Sequence, residues 1–385
     1  MKKIPTSWPE IDKKEIKAIT KVMTEGWLGL GKYVDEFENK LKKYLKLKNR
    51  YVCCVSTGSD ALLMSLIIAG VKRNDEVILP SLNFIAGAQS ILLCGAKPVF
   101  CDVDNKTLCI DTKKAQRLIS KKTKAIISVD YSGNFPDYSQ LIKLKKKYNK
   151  LKIIQDAAHS FASTYNKKKV GTFSDITMFS FDPIKTITSI DGGAIIVNNL
   201  KDLYKLKSIR QLGFMIQPNV AFGNKQRIIN DIKNIGMQNR MSNVHAAVGI
   251  EQLKKINRFV KKKRSLCKNY NKLFRNNKNV LPPSSDFNNV TPFIYYIRVN
   301  KYLRDKLRLF LRKNSVITGL HWSANHKYSL FKNYKKSKMN ITETVCNELI
   351  TLPLYYKLSF TQQKRICMLI NKFFKNNEKK LLRFR

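Results

Sequence analysis

A chain of 385 residues, 43% hydrophobic and 10% aromatic, has enough apolar content to bury one large core, or a large core and a smaller one, which excludes a disordered polymer. Its 73 Lys and Arg against 27 Asp and Glu leave a net charge of +46, but the clusters Lys145–Lys147, Lys167–Lys169 and Lys261–Arg264 carry no interleaved aromatic platform. They read as solvated faces that favour anionic ligands, with no specific nucleic-acid surface. No apolar run approaches the roughly 20 residues that span a bilayer, MKKIPTSWPEIDKKEIKAI lacks the apolar stretch of a signal peptide, and the eight cysteines show no metal spacing; a cytoplasmic protein with reduced thiols and no metal is expected.

In chain order, YVCCV (51–55) reads as a strand entering the small polar turn STGSD, followed by a helix-like apolar pattern. Such a turn exposes backbone N–H groups at a helix N-terminus, a ready phosphate site, with Ser59 and Asp60 in the first turn and the Ser59 hydroxyl as a further donor. Ordinary helix capping is the plainer reading of this motif alone. EVILP, KPVFCDV, KAIISVDY, KIIQDAA, DITMFSFD and GAIIVNN follow as short strands with few polar breaks, as expected of strands covered on both faces. DTKKAQRLISKKT and YSQLIKLKKKYNK between them have helical spacing. The alternation predicts an α/β fold with a doubly wound, mostly parallel sheet over about residues 50–200. Ser242 is placed to cap one helix running through NVHAAVGIEQLKKINRFVKKK. That helix would join a large domain, 1–255 with an N-terminal arm, to a small C-terminal α+β domain, 256–385. The small domain contains the proline-rich loop VLPPSSDFNNVTP, the strand-like FIYYIRV and the helix-like LRDKLRLFLRKN.

Lys185, in the loop after DITMFSFD, lies 29 residues beyond Asp156 at the tip of KIIQD. A lysine in a tight loop after one buried strand, with a carboxylate at the end of another, is the pairing that pyridoxal 5'-phosphate (PLP) chemistry requires. The amine forms a Schiff base with the cofactor aldehyde, and the carboxylate keeps the pyridine nitrogen protonated. A buried Asp156 needs a positive partner, either that pyridinium or a neighbouring lysine. His159 is near enough in sequence to touch the cofactor's phenolic oxygen, or is a generic loop histidine. Phe84, at the end of EVILP, either stacks on the pyridine ring or fills the core. Ser180, five residues before Lys185, can reach the same phosphate, and Gly192 and Gly193 let the chain turn tightly before GAIIVNN.

Taken in order, EGWLGLGKYVDEFENKLKKYL, STGSDAL, NDEVILPSLNFIA, GAKPVFCDVD, QDAAHS, KKVGTFSDITMFSFDPIK, NRMSNVHAAVGIEQL, TGLHWSANHKYSLF and ELITLPLYYKLS resemble the DegT/DnrJ/StrS family of PLP-dependent sugar-nucleotide aminotransferases. The resemblance implies the fold type I, aspartate aminotransferase-like architecture and a homodimer with active sites shared at the subunit interface. It makes Lys185 the Schiff-base lysine, Asp156 the pyridinium partner, Phe84 the stacking ring, and Ser59, Asp60 and Ser180 phosphate contacts. His159 takes the place near the phenolic oxygen. The family motif GxNxRM reads here GMQNRM, so Gln238 replaces the asparagine that reaches the partner subunit's phosphate, while Arg240 is retained. Trp27, Arg240 and His321 align with segments that line the substrate pocket. Asp182, Asp130 and Ile190 stand where an aromatic, a histidine and a glycine are common.

The implied reaction is a ping-pong transfer of an amino group from an amino acid, L-glutamate by resemblance, to a keto sugar on a nucleoside diphosphate, feeding amino-sugar and surface-polysaccharide (lipopolysaccharide) synthesis. A PLP-dependent sugar dehydratase, in which histidine replaces the lysine, and an aminocyclitol-type aminotransferase are the enzyme alternatives. A basic PLP-binding regulator is the alternative outside catalysis.

Overall fold

The computed structural model describes residues 3–214 and 231–377. Its strands are β1 (Tyr51–Val55), β2 (Glu76–Pro80), β3 (Lys97–Cys101), β4 (Thr123–Val129), β5 (Lys152–Asp156), β6 (Thr164–Tyr165), β7 (Lys168–Lys169), β8 (Ile176–Ser180), β9 (Gly193–Val197), β10 (Tyr295–Arg298) and β11 (Leu349–Leu352). Seven of them form one sheet in the order β1-β9-β8-β5-β4-β2-β3. Within it β9 alone runs antiparallel to both neighbours, and the other adjacent pairs are parallel. The carboxyl ends of six strands therefore open on one edge, where a doubly wound sheet presents its ligand crevice.

The strands are apolar at nearly every position because helices cover both faces. All five residues of β8 and of β9 are buried. The helix Gly58–Ile68, which leaves β1 through the STGSD turn, has six consecutive buried residues, Ala61–Leu66. It lies between the sheet and the helices Ala86–Leu93 and Leu200–Ile209, which cover its middle on every side and leave its ends partly open.

A second core forms around the antiparallel pair β10–β11, where Leu266, Tyr270, Leu303, Leu307, Ile350 and Ile366 pack together. Ile4 joins this C-terminal core through a parallel bridge to Val316, so the first described residues cross to it before the chain enters the large sheet. Ser242 caps its helix as the sequence predicts, accepting from the His245 N–H at 3.2 Å. The one long helix predicted beyond it is broken, however. Helix Asn243–Lys254 stops at Lys255 (φ −93°, ψ −1°), and a second helix, Ile256–Phe274, begins after it. The Lys255 ammonium is drawn inward at the break, 2.6 Å from Glu15 and 2.7 Å from Asp12. Among the described residues no helix is long and apolar enough to cross a membrane.

Candidate active site

Asp156 ends β5 with only 5% of its surface exposed. Its carboxylate accepts the Ala158 N–H at 3.1 Å, and burial raises its pKa against the opposing pull of that N–H and of Lys185. Lys185 lies in the loop after β8. There Asp182 shapes an Asx turn, its side chain accepting the Ile184 N–H at 3.1 Å and its carbonyl accepting the Lys185 N–H at 3.0 Å. The half-buried Lys185 amine makes no ion pair with a described residue and lies 4.0 Å from the centre of the Phe293 ring. Burial brings its pKa down to about 8, although Asp156 and Asp182 pull the other way. The sequence-predicted pair thus meets at the carboxyl edge of the sheet, close enough for each charge to perturb the other.

His159 is buried and stacks on Phe293 (centroids 4.6 Å, 25° between planes). Its Nδ1 receives the Ser132 N–H at 3.4 Å. Burial first, then Lys185 and His321, push its pKa well below the ordinary range, so the ring is neutral. His321 hydrogen-bonds Thr351 at 2.9 Å through Nδ1, and its carbonyl accepts the Tyr131 hydroxyl. Burial and Lys185 bring the His321 pKa to about 4. Two neutral imidazoles therefore flank one amine. Phe84 is 47% exposed at the end of β2 and meets Trp322 at 5.0 Å. It does not fill the core, and about half of its surface stays exposed.

At the other end of the crevice, Thr57 caps helix Gly58–Ile68 by accepting the Asp60 N–H at 3.0 Å. The Asp60 carboxylate in turn accepts from the hydroxyls of Ser56 and Thr57. Both the N–H and the carboxylate of Asp60 are thus spent on the cap, which leaves the N–H groups of Gly58 and Ser59 without an acceptor among the described residues. A Cβ added to Gly58 would sit 2.8 Å from Ser180 Oγ, so the first helical turn and the end of β8 nearly touch. The predicted need for glycine at 192 and 193 takes a different physical form: neither residue has a positive φ, but a Cβ at Gly193 would lie 2.4 Å from the Thr57 carbonyl oxygen. The left-handed turn falls instead on Ile190 (φ 69°), a conformation that a β-branched residue adopts only with strain.

Trp27, Arg240 and Gln238 are not brought to the Lys185 amine. Asn243 Nδ2 holds the Trp27 carbonyl at 3.0 Å, and Arg240 bridges to Val55 at the end of β1. All three side chains are exposed, and among the described residues none touches Lys185, His159 or His321. Phe293, Trp322 and Tyr131, by contrast, complete the wall around Lys185 and His159 although the sequence did not single them out. Trp322 had a signal in its adjacency to His321. Phe293 had none, because its role depends on contacts more than a hundred residues away in the chain.

The donor set fits PLP at three points. Free N–H groups beside the Ser180 hydroxyl suit a phosphate, the half-exposed Phe84 ring suits a flat partner, and a buried carboxylate lies within the electrostatic reach of an unpaired amine. Comparison with known proteins agrees. The family model of the DegT/DnrJ/EryC1/StrS aminotransferase family matches residues 9–371. The chain is 33% identical over 375 residues to the GDP-perosamine synthase of Escherichia coli O157:H7, covering 97% of this chain and 99% of that one. It is 35% identical over 277 residues, 71% of this chain and 70% of the other, to the UDP-4-amino-4,6-dideoxy-N-acetyl-beta-L-altrosamine transaminase of Campylobacter jejuni. Among solved structures, Helicobacter pylori PseC, an aminotransferase of pseudaminic acid biosynthesis by its description, superposes with a TM-score of 0.89 at 27% identity, covering 97% of this chain and all of that one. The α/β architecture is thus fold type I, the fold of PLP-dependent aminotransferases. Matched along nearly its whole length, the chain belongs to the DegT/DnrJ/EryC1/StrS aminotransferase family.

Proposed function

We propose that this protein is a PLP-dependent aminotransferase that moves an amino group from an amino acid, L-glutamate by family resemblance, to the keto carbon of a sugar carried on a nucleoside diphosphate. The observation that carries the reading is the meeting of Lys185, an unpaired amine with its pKa down to about 8, with the buried carboxylate of Asp156. The names of the relatives support a nucleotide-linked sugar, and that of a Saccharopolyspora spinosa relative, dTDP-4-dehydro-2,3,6-trideoxy-D-glucose 4-aminotransferase, supports amination at C4. The products would be amino sugars for surface polysaccharide.

When bound, PLP supplies an aldehyde that captures amines and a protonated ring that withdraws electrons from the adjoining carbon. Lys185 would hold it through the amine. When not bonded to the cofactor, Lys185 would be the base that takes the proton from the donor's α carbon and the acid that delivers one to the sugar carbon. A lowered pKa suits this work, since a lysine near 10.5 would be protonated and unable to act as a base. The Asp156 carboxylate would be the group that keeps the ring nitrogen protonated, which would also give the buried charge its counterpart. Neutral His159 offers an uncharged hydrogen-bonding edge for the phenolic oxygen. The N–H groups of Gly58 and Ser59, with the Ser180 hydroxyl, would hold the phosphate.

Gln238, Arg240 and Trp27, exposed on one chain, are the residues we assign to a second copy's site in a homodimer. Arg240 has the fork geometry to grip a phosphate or carboxylate there, and Gln238 retains an amide donor. The test is a panel of nucleotide-linked keto sugars with L-glutamate, with the aminated product detected by mass. Amination of simple keto acids without any nucleotide-sugar product would overturn the sugar assignment.

A further inference from the structure

Asp130, the residue after β4, is fully buried, yet its side-chain partners among the described residues are all neutral donors. The Tyr138 hydroxyl and Gln155 Nε2 each donate to it at 2.7 Å, and the Ser160 hydroxyl donates at 2.5 Å. A carboxylate in a core without a cation is costly, and three hydrogen bonds to its ionised form offset that cost. Two of the donors bracket the candidate site: Gln155 immediately precedes Asp156, and Ser160 immediately follows His159. The backbone closes the same joint. The Asp130 N–H donates to the Asp156 carbonyl at 3.0 Å, the Tyr131 ring meets His159 edge-on, and the Ser132 N–H reaches His159 Nδ1. Gln155 is itself held, its Oε1 accepting the Thr177 hydroxyl at 3.1 Å. One buried carboxylate thus ties β4 and β5 to β8, the strand that leads to Lys185.

We propose that Asp130 is a positioning residue: its carboxylate clamps the segment from Gln155 to Ser160 and so fixes Asp156 and His159 against the cofactor ring. The proposal rests on the reading of Asp156 as the partner of the ring nitrogen. The Asp156 carboxylate receives the Ala158 N–H, from inside the same segment, so its direction is set by whatever holds the segment as a whole. Asp130 supplies that restraint from both ends. The direction of each bond is fixed in turn. Tyr138 accepts the Ser128 hydroxyl at 3.1 Å and passes its own hydrogen to Asp130, and Gln155 aims its nitrogen at Asp130 because Thr177 takes its oxygen. Three hydrogens therefore converge on an acceptor, and a network satisfied in this way is rigid. Burial pushes the Asp130 pKa up to about 7 against the pull of the three donors, and the Asp156 charge adds to the rise. An amide at this position would set its NH2 group against that of Gln155 and open the joint.

The test uses the cofactor-loaded full chain and reads the pH at which its visible absorption changes, beside kcat and KM. Asp156→Asn sets the reference. A ring nitrogen held less firmly withdraws fewer electrons, so the amine-linked chromophore keeps its own proton to higher pH. We expect Asp130→Asn to move the midpoint upward, in the same direction as Asp156→Asn, by about half a pH unit or more. It should lower kcat by about tenfold with both KM values within about twofold, the signature of a misplaced group that still binds substrate. Combining Asp130→Asn with Gln155→Glu exchanges donor and acceptor across the joint, remakes its hydrogen bonds and should recover most of both effects. A wild-type midpoint in Asp130→Asn beside a shifted Asp156→Asn, or a double variant no better than the single one, overturns the proposal. Should Asp130→Asn fail to fold, Ser160→Ala removes one arm of the clamp and should give a smaller upward shift; a wild-type midpoint there has the same force. Failure of the underlying reading is distinguishable, because an unshifted Asp156→Asn removes Asp156 from the ring nitrogen whatever Asp130 does.

Discussion

Lys255 and Lys185 are both lysines withdrawn from water near carboxylates, and they differ in how fully the chain answers their charge. At the helix break, Lys255 has Glu15 at 2.6 Å and Asp12 at 2.7 Å, and the Gln252 amide donates to Glu15 at 2.7 Å, so nearly every donor and acceptor has a partner. Around Lys185 the polar groups stand apart. Asp156 has a single N–H, two imidazoles are held neutral, and the neighbouring Lys263 has no counter-charge. The first arrangement fixes where the helix breaks and how the N-terminal helix docks. The second leaves charge unmatched in a crevice, which is costly unless a ligand completes it.

Substitutions should separate the two regions cleanly. Lys185→Ala should abolish visible cofactor absorption and lower turnover by about ten-thousandfold, while thermal stability changes little; a coloured, active protein would remove Lys185 from the chemistry. Glu15→Gln should do the reverse. Stranding Lys255 with only Asp12 beside it should cost about 3 to 5 kcal/mol in denaturant unfolding, with unchanged activity per folded molecule. Asp156→Asn should bind the cofactor yet lower kcat by about a hundredfold, a loss measured in steady state at saturating substrate.

The pH dependence follows from Lys185 and Lys263, both brought to about 8 from an ordinary 10.5. Between those values the unfolded chain holds protons that the folded chain has released. The cofactor-free protein should therefore gain stability as pH rises from about 8 to 10.5, and below 8 that gain is absent. Melting curves across this window should show a smaller rise in Lys263→Met than in wild type. The smallest effect belongs to Ile190→Gly, which relieves a left-handed β-branched residue at the expense of chain entropy. It should change stability by about 1 kcal/mol or less in the favourable direction, read as a small increase in Tm.

Much of this organisation was legible from residue pattern. Unbroken apolar runs such as EVILP and KIIQD are covered on both faces, as their composition demands, and the tip positions of Asp156 and Phe84 follow from where those runs end. The break at Lys255 was hidden, because LKKINRF keeps helical spacing and the cause of the break, a pair of carboxylates from the N-terminal arm, lies about 240 residues earlier. Asp60 shows a related ambiguity. A first-turn aspartate suits a phosphate site as well as a cap, and only the positions of Ser56 and Thr57 commit it to the cap.

Strand periodicity, turn composition and the spacing of Lys185 from Asp156 are properties of neighbours along the chain, so the sequence by itself determined the α/β layering and the chemistry of the cofactor site. Which amines lack a counter-ion, which histidines lose their charge, and that Phe293 touches both Lys185 and His159 depend on segments distant in sequence that exclude the same water. Burial and dielectric arise from packing in three dimensions, and there the tertiary structure alone decided.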